Sequence, residues 1–403
     1  MILKQPLDIK PKEKIVHFST YGMMLFFILL PFEYPLANFG VGSILRYAGV
    51  VAMGLALVDV CFVERINVKL DYRTLLLGIW IFFAVFSGMW AVDADGFSHY
   101  IGMYIRNAIM FLLISWVPFT KHEVKLMTQG FIIGIAVLLL YMMFFPGAVV
   151  YSDWQNRLTL AIDGEEGLDQ NYLATLMSIG YGLVFYDVTD KRSVNFKQII
   201  KLLFCIVCIY YIFLTGSRSG LLGVAIISVI CFNLDLKKNI YIILGLLILF
   251  IFLIPNILEQ LPKDLLERFS LDAMLGKTSE SSSRLEIWRI ALKTISESNW
   301  LVGNGAGATE HLIGIRYYKD AAVHNYLLGH ILELGLIGVT LFTTLVYKMF
   351  KEVFFGPYRK QGVAFIGVII ASLFLDVLTT KFFWGAMMLL TMHISAISLE
   401  LNN

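Results

Sequence analysis

The sequence predicts an all-α integral membrane protein with about 12 transmembrane helices and one long, partly helical loop. Three observations carry this. The chain of 403 residues is 58% hydrophobic and only 15% charged, with a mean hydropathy of +0.75. A water-soluble domain of that length needs many more charges to cover its surface. Apolar stretches of about 20 residues, enough to cross a bilayer, recur along the chain, and one 68-residue polar stretch, 255–322, interrupts them. The net charge of +2 gives no argument for nucleic acid.

The first apolar run, from Ile15 to Leu30, follows Lys4, Lys10, Lys12 and Lys14. It ends in Pro31-Phe32-Glu33 with no small-residue cleavage site, so it is expected to stay as the first span rather than leave as a signal peptide. The spans are expected at about 15–33, 41–62, 73–90, 99–118, 125–146, 170–187, 198–214, 218–233, 239–255, 323–347, 362–379 and 381–400. That divides the chain into nine helices over 1–254, a loop over 255–322, and three helices over 323–403. Cys61, Cys205, Cys208 and Cys231 all fall in apolar spans and imply no disulfide framework. Cys205 and Cys208 have CxxC spacing, but inside a hydrophobic helix packing is the better reading than redox or metal chemistry.

Lysine and arginine set the orientation. With the N-terminus in the cytoplasm, the inner segments hold 19 of the 32 Lys and Arg, the short outer segments five, and the long loop eight. The long loop and His324 are therefore expected on the outer face, with both termini inside. Four of the five outer exceptions are arginines: Arg46, Arg106, Arg157 and Arg218. Each alone reads equally well as a helix-end anchor that snorkels to the interface. Together they favour an anion site, because guanidinium binds phosphate in a planar fork and stays charged. Arg218 is the strongest. It sits in Thr215-Gly216-Ser217-Arg218-Ser219-Gly220, where small neighbours let a bulky head group approach the backbone. The plainer reading there is a tight turn between helices.

The loop balances eight Lys or Arg against nine Asp or Glu, so any anion site in it is local. Ile257, Leu258, Leu261, Leu265 and Phe269 recur at helical spacing, for a helix lying either on the membrane or on the rest of the loop. Ser283-Arg284-Leu285-Glu286 reads as a capping box. Leu285, Trp288, Leu292 and Ile295 would then form the buried stripe of the helix it starts. Arg284 would lie in the first turn, where the helix dipole disfavours a cation unless an anion is bound there too. Arg289 would point elsewhere. Gly303-Asn304-Gly305-Ala306-Gly307 permits a backbone nest for phosphate, though such a run is more often a turn.

His324 and Asn325 open the next hydrophobic segment. A polar pair there is costly unless it faces water, protein or ligand. An imidazole of ordinary pKa near 6.5 suits general-base work at neutral pH. His330 reads as a packing or supporting residue, and His17, His99, His122, His311 and His393 show no partner spacing. Gly335 and Gly338 are expected to permit close helix packing. There is no metal-ligand cluster and no Walker-type phosphate loop.

The arrangement His324-Asn325, nine residues, then Gly335-x-x-Gly338 resembles the signature of the O-antigen ligases. These in turn resemble O-antigen polymerases and protein O-oligosaccharyltransferases. Arg284-Leu-Glu-Ile-Trp288-Arg289 followed by Gly303-x-Gly305 is similar to that superfamily's loop pattern. So are Asp169-Gln170-Asn171-Tyr172-Leu173-Ala174 and the Arg218 segment. The resemblance implies a GT-C-like architecture in a bacterial inner membrane with a periplasmic active site. It implies undecaprenyl-diphosphate-linked glycan as donor and a sugar hydroxyl of lipid A–core as acceptor. Arg218 and Arg284 would hold the diphosphate and His324 would activate the acceptor, with Arg157, Arg46 and Arg106 as further donor-binding candidates. Asn325, Arg289, Asn171, Gly335 and Gly338 would support them. No cofactor, ATP or metal is implied.

Three rivals remain. A polymerase would use the same donor and a glycan acceptor; the His-Asn to Gly-x-x-Gly spacing tilts toward ligase. A protein O-oligosaccharyltransferase is expected to carry a soluble C-terminal region, which does not follow the last span here. A transporter or flippase is expected to carry ionisable residues near the bilayer midplane; Asp376 is the main such residue, near the outer end of its span.

Overall fold

A computed structural model describes residues 16–33, 43–64, 70–145, 147–152, 156–162, 165–166, 168–190, 195–233, 263–267, 279–317, 322–357 and 359–401. In chain order the helices are α1 (Phe18–Leu29), α2 (Ile44–Val58), α3 (Tyr72–Phe86), α4 (Ala94–Trp116), α5 (Lys121–Phe144), α6 (Gln170–Asp190), α7 (Phe196–Leu214), α8 (Arg218–Asn233), α9 (Lys263–Glu267), α10 (Ser279–Glu297), α11 (Ala308–Tyr317), α12 (Tyr326–Phe355), α13 (Arg359–Ser372) and α14 (Lys381–Leu401). Helices occupy eleven of the twelve expected segments; the ninth, 239–255, lies outside the described residues. Among the described residues seven helices are long and apolar enough to cross a membrane, and the helices over Phe18–Phe32 and Arg218–Phe232 are apolar but shorter. The protein is a multi-pass, mainly helical membrane protein.

The bundle is built around α14, in which every side chain from Phe382 to Ala396 is buried. Helix α1 packs on α2 and α5, α6 on α7, α8 and α13, and α12 on α3. One hydrophobic core runs through these helices, and a second, smaller one holds Ile287, Ala291, Ile313, Val323 and Leu332. Cys205, Cys208 and Cys231 are buried free thiols, in keeping with packing.

Four expectations are corrected. First, the chain is not purely α. It carries three short antiparallel strands, β1 (Val149–Tyr151), β2 (Leu158–Ile162) and β3 (Glu165–Glu166), in the order β1-β2-β3. Second, α10 starts at Ser279, upstream of the expected cap, so Ser283 is not its N-cap and Arg284 is not in its first turn. The dipole argument for an anion at Arg284 therefore lapses. Third, the buried stripe of α10 is Ile287, Ala291 and Thr294, while Leu285 and Leu292 are more than half exposed. Small residues at 291 and 294 let the helix approach its neighbours closely, which large leucines on that face would prevent. Fourth, Asp376 is not in a helix: α13 ends at Ser372 and Asp376 lies in the connection to α14. Of the proposed helix over 257–269, only Lys263–Glu267 is described, with Leu265 fully buried.

Helix α12 is broken. Gly335 has φ +61 and ψ −168, outside helical space, and a left-handed φ is open to glycine at little cost. The break frees backbone groups that the preceding loop satisfies. Leu332 O accepts from Asn304 N (3.0 Å) and Asn304 Nδ2 (2.9 Å), and Glu333 O accepts from Gly305 N (2.9 Å). In return Leu336 N donates to Trp300 O (3.0 Å) and Ile337 N to Leu301 O (3.1 Å). A Cβ on Gly303 would strike the Glu333 carbonyl, one on Gly335 the Leu301 carbonyl, and one on Gly338 the Leu334 side chain. Gly303 thus serves the helix break, with Gly335 and Gly338 at the same junction, whereas a Cβ on Gly305 would strike Ala91 and one on Gly307 the Gly96 carbonyl in α4. The 20 residues after the break, 336–355, rise ~30 Å, the thickness of a bilayer core.

Candidate active site

His324 stands immediately before α12, with φ +49. Few residues other than glycine hold that conformation, and such strain persists only where the surroundings impose it. Asn325 supplies part of that constraint. Its side chain caps α12 by accepting from Leu328 N (3.0 Å) and donates from Nδ2 to Leu373 O after α13 (3.0 Å). Trp288 supplies more: its Nε1 donates to Val323 O (3.0 Å), and its ring lies 6.5 Å from that of Phe374. Trp288 is one turn beyond Arg284 on α10, so the same anchor brings Arg284 to His324.

The electrostatics follow from that placement. His324 is half-buried, and burial pushes its pKa below the ordinary value. The Arg284 charge adds to this, and Asp169 opposes it. The imidazole is thereby kept neutral, the form that accepts a proton. Arg284 is half-buried and has no carboxylate within ion-pair distance among the described residues.

Asp169 links His324 to the start of α6. Its Oδ1 accepts from Asn171 N (2.7 Å) and Tyr172 N (3.3 Å). The Asn171 Oδ1 in turn accepts from Arg157 Nη2 (3.2 Å), and Arg157 Nε donates to Thr215 O (2.8 Å). Arg157 is 6% exposed and is held by the turn between β1 and β2: Ser152 N donates to Arg157 O (2.9 Å) and Arg157 N to Ser152 Oγ (3.2 Å). Thr159 Oγ1 donates to Leu168 O and fastens that turn to the entry of α6. Thr215 begins the turn that ends in Arg218, the first residue of α8. Ser217 Oγ accepts from Gly220 N (3.2 Å), capping that helix. The dipole argument made for Arg284 applies instead to Arg218: a cation at a helix N-terminus is eased by an anion bound there.

The structure thus brings Arg157, Asn171 and the Arg218 turn into one hydrogen-bonded chain, with His324, Arg284 and Asp169 electrostatically linked to it. It does not bring in Arg46 or Arg106. Both are exposed, on α2 and α4, with no side-chain hydrogen bond or ion pair among the described residues. Arg289 is exposed on α10. His330 is a packing residue, accepting from Trp80 Nε1 (3.0 Å) and stacked on Tyr326.

Sequence reading missed a group of carboxylates beside this site, having named only Asp376 among them. Glu333 is buried and accepts from Tyr104 OH and Thr309 Oγ1, both at 3.0 Å. Glu310 accepts from Tyr100 OH (2.7 Å). Burial pushes the Asp376 carboxyl up to about 6; the Leu378 N–H opposes this and the Glu310 charge adds to it. Tyr172 OH reaches the Asp376 carbonyl (3.5 Å). A cavity of about 250 Å³ lies alongside, lined by Tyr100, Tyr172, His99, Glu33 and Thr380 among others. These residues come from five distant segments, so spacing gave no signal. Asp169 had one, since it opens the Asp169-Gln170-Asn171 motif.

Residues 203–343 match the family model described as O-antigen ligase. A protein of Rickettsia conorii described as a "putative polysaccharide ligase" is 30% identical over 173 residues. That match spans 40% of this chain and 41% of the relative. The resemblance read from the sequence is borne out over this segment. It holds Arg218, Arg284, Arg289, His324, Asn325, Gly335 and Gly338, while Arg157 and Asn171 lie before it.

Proposed function

We propose that the protein is a glycosyltransferase that moves O-antigen glycan from undecaprenyl diphosphate to a sugar hydroxyl of lipid A–core. The reaction runs on the periplasmic face of a bacterial inner membrane. The chain has twelve spans, both termini in the cytoplasm, and 255–322 as its periplasmic loop. The carrying observation is His324, held neutral and in strained backbone beside Arg284, at the bundle end where Arg157, Asn171 and the Arg218 turn meet. The O-antigen ligase match over 203–343 and the description of the Rickettsia relative support the same reading.

In this reading the His324 imidazole takes the proton of the acceptor hydroxyl. The hydroxyl oxygen bonds to the anomeric carbon while the bond from that carbon to the diphosphate oxygen breaks. The diphosphate leaves with the electron pair, and its growing charge is met by Arg218 and Arg284, with Arg157 behind them. Fixed guanidinium groups in a partly water-excluded cleft act where charge develops, and that is where such groups lower a barrier most. Attack opposite the leaving group inverts the anomeric centre.

The test is reconstitution. Purified protein is incubated with undecaprenyl-diphosphate-linked O-glycan and lipid A–core, without added ATP or metal, and the products are resolved on a gel. A joined product that is absent with His324→Ala is expected. Longer lipid-linked glycan with lipid A–core unused makes the enzyme a polymerase. Substrate carried across proteoliposome membranes with no product of either kind makes it a transporter. A joined product with retained configuration rules out direct displacement.

A further inference from the structure

A large cavity lies at the far end of the bundle from His324. Helix α12 runs from Tyr326, two residues after His324, to Phe355, and Arg359 opens α13 a few residues later; α6 runs from Gln170 to Asp190 in the same direction. Between the ends of α5, α6, α7, α13 and α14 there opens a space of about 990 Å³. Its mouth carries six cations, Lys121, Lys125, Lys197, Lys201, Arg359 and Lys360, and one carboxylate, Asp187. Lys201 and Lys360 both pair with Asp187, at 2.8 and 2.9 Å. Lys125, Lys197 and Arg359 are exposed, with no carboxylate within ion-pair distance among the described residues. The excess positive charge at the rim is thus uncompensated by the lining.

Further in, the wall turns apolar, with Ile132, Ile133, Ile200 and Phe204. Ile133 and Ile200 are each about half exposed on α5 and α7, so the cavity opens sideways onto the surface that faces lipid. A charged rim above an apolar, laterally open wall matches an anionic amphiphile, with head group at the rim and chains along the helices. A free anion would leave that wall unused.

We propose that this cavity is a binding site for an anionic phospholipid of the leaflet opposite the His324 site, its phosphodiester held by Lys125, Lys197 and Arg359. Basic pockets between helix ends on this side of a bundle select phosphate-bearing head groups, each cation near the surface adding to the attraction. Phosphate recognition by several cations is charge-assisted and falls with salt. The proposal rests on the helical bundle alone and is independent of the reaction assigned above.

The experiment uses the full chain in nanodiscs of phosphatidylcholine doped with either phosphatidylglycerol or cardiolipin, followed by native mass spectrometry of the released protein. Wild type is expected to retain one anionic phospholipid, with retention at least tenfold lower in a Lys125→Gln, Lys197→Gln, Arg359→Gln variant. A charge-keeping Lys125→Arg, Lys197→Arg, Arg359→Lys variant is expected to retain it like wild type, which separates head-group binding from misfolding. Inorganic phosphate at millimolar concentration is expected not to displace the lipid. Equal retention of phosphatidylcholine, unchanged retention in the glutamine variant, loss in the charge-keeping variant, or displacement by phosphate alone overturns the proposal.

Discussion

Two histidines at opposite ends of the molecule have received opposite electrostatic treatment. His17 caps the start of α1 and is locked between carboxylates. Its Nδ1 lies 2.8 Å from Glu123 Oε1, its Nε2 lies 3.1 Å from Glu64 Oε1, and its backbone N donates to Glu123 at 2.7 Å. Burial works against the imidazolium, but the hydrogen bonds to Glu123 and Glu64 outweigh it and hold the pKa at about 9. Nearby, Asp59 accepts from Phe18 N and Ser19 N, and Thr20 Oγ1 donates to Glu123. Both ring nitrogens of His17 are engaged, Nδ1 joining α1 to α5 and Nε2 joining it to Glu64 in the segment after α2. His324 instead meets a guanidinium, and burial and Arg284 act together to keep it neutral. The first ring is a strut; the second has a lone pair to offer. Residue type alone would have ranked the two alike.

Alanine in place of each histidine breaks the comparison most sharply. His324→Ala is expected to cost about 10³-fold in transfer, the weight of a general base, while the melting temperature in detergent holds. His17→Ala strands a buried carboxylate and is expected to cost ~3 kcal/mol of stability, with turnover per folded molecule unchanged. The reversed pattern would exchange the two assignments.

Arg284→Ala and Arg218→Ala come next, each expected to lower transfer about 10²-fold by removing one charge-stabilising group. Normal turnover in both variants with donor binding intact would remove the diphosphate clamp.

The pH dependences sharpen the contrast further. Because the folded pKa of His17 is raised, its stabilisation is complete below the unfolded value near 6.5 and is lost as pH rises through about 9. Melting curves between pH 6 and 10 should therefore decline in wild type and stay flatter in His17→Ala. For His324 the folded pKa is lowered, so the acid limb of the transfer rate should fall below 6.5. Arg284→Ala removes a nearby cation and should move the residual limb upward, and Asp169→Asn should move it downward. No movement in either variant would separate this histidine from the limb.

The smallest effect is expected from Arg46→Ala and Arg106→Ala. Both side chains are exposed and away from the hydrogen-bonded chain, so transfer should stay within about twofold of wild type, as exposed charges usually contribute little.

The apolar helices were legible because a segment in an apolar stretch must satisfy its backbone internally, and that constraint is written locally. His324, Asn325, Arg218 and Arg284 were legible through short motifs. The face that α10 buries was not, because Ala291 and Thr294 owe their burial to close approach by neighbouring helices rather than to hydrophobicity. The start of α10 was missed because Ser-rich sequence at 279–283 mimics a cap when read alone. The His17 network was invisible because its partners lie 47 and 106 residues away. Arg46 and Arg106 were grouped with Arg157 by topology, and only side-chain placement separates them.

The break at Gly335 also orders events during synthesis. Residues 299–307 leave the ribosome before 332–337, so their carbonyls and N–H groups lack these partners until the second half of the joint arrives. Closing it ties the preceding segment to the helix that follows His324. The histidine is therefore among the last parts of the candidate site to reach its place, synthesised after Arg157, Arg218 and Arg284.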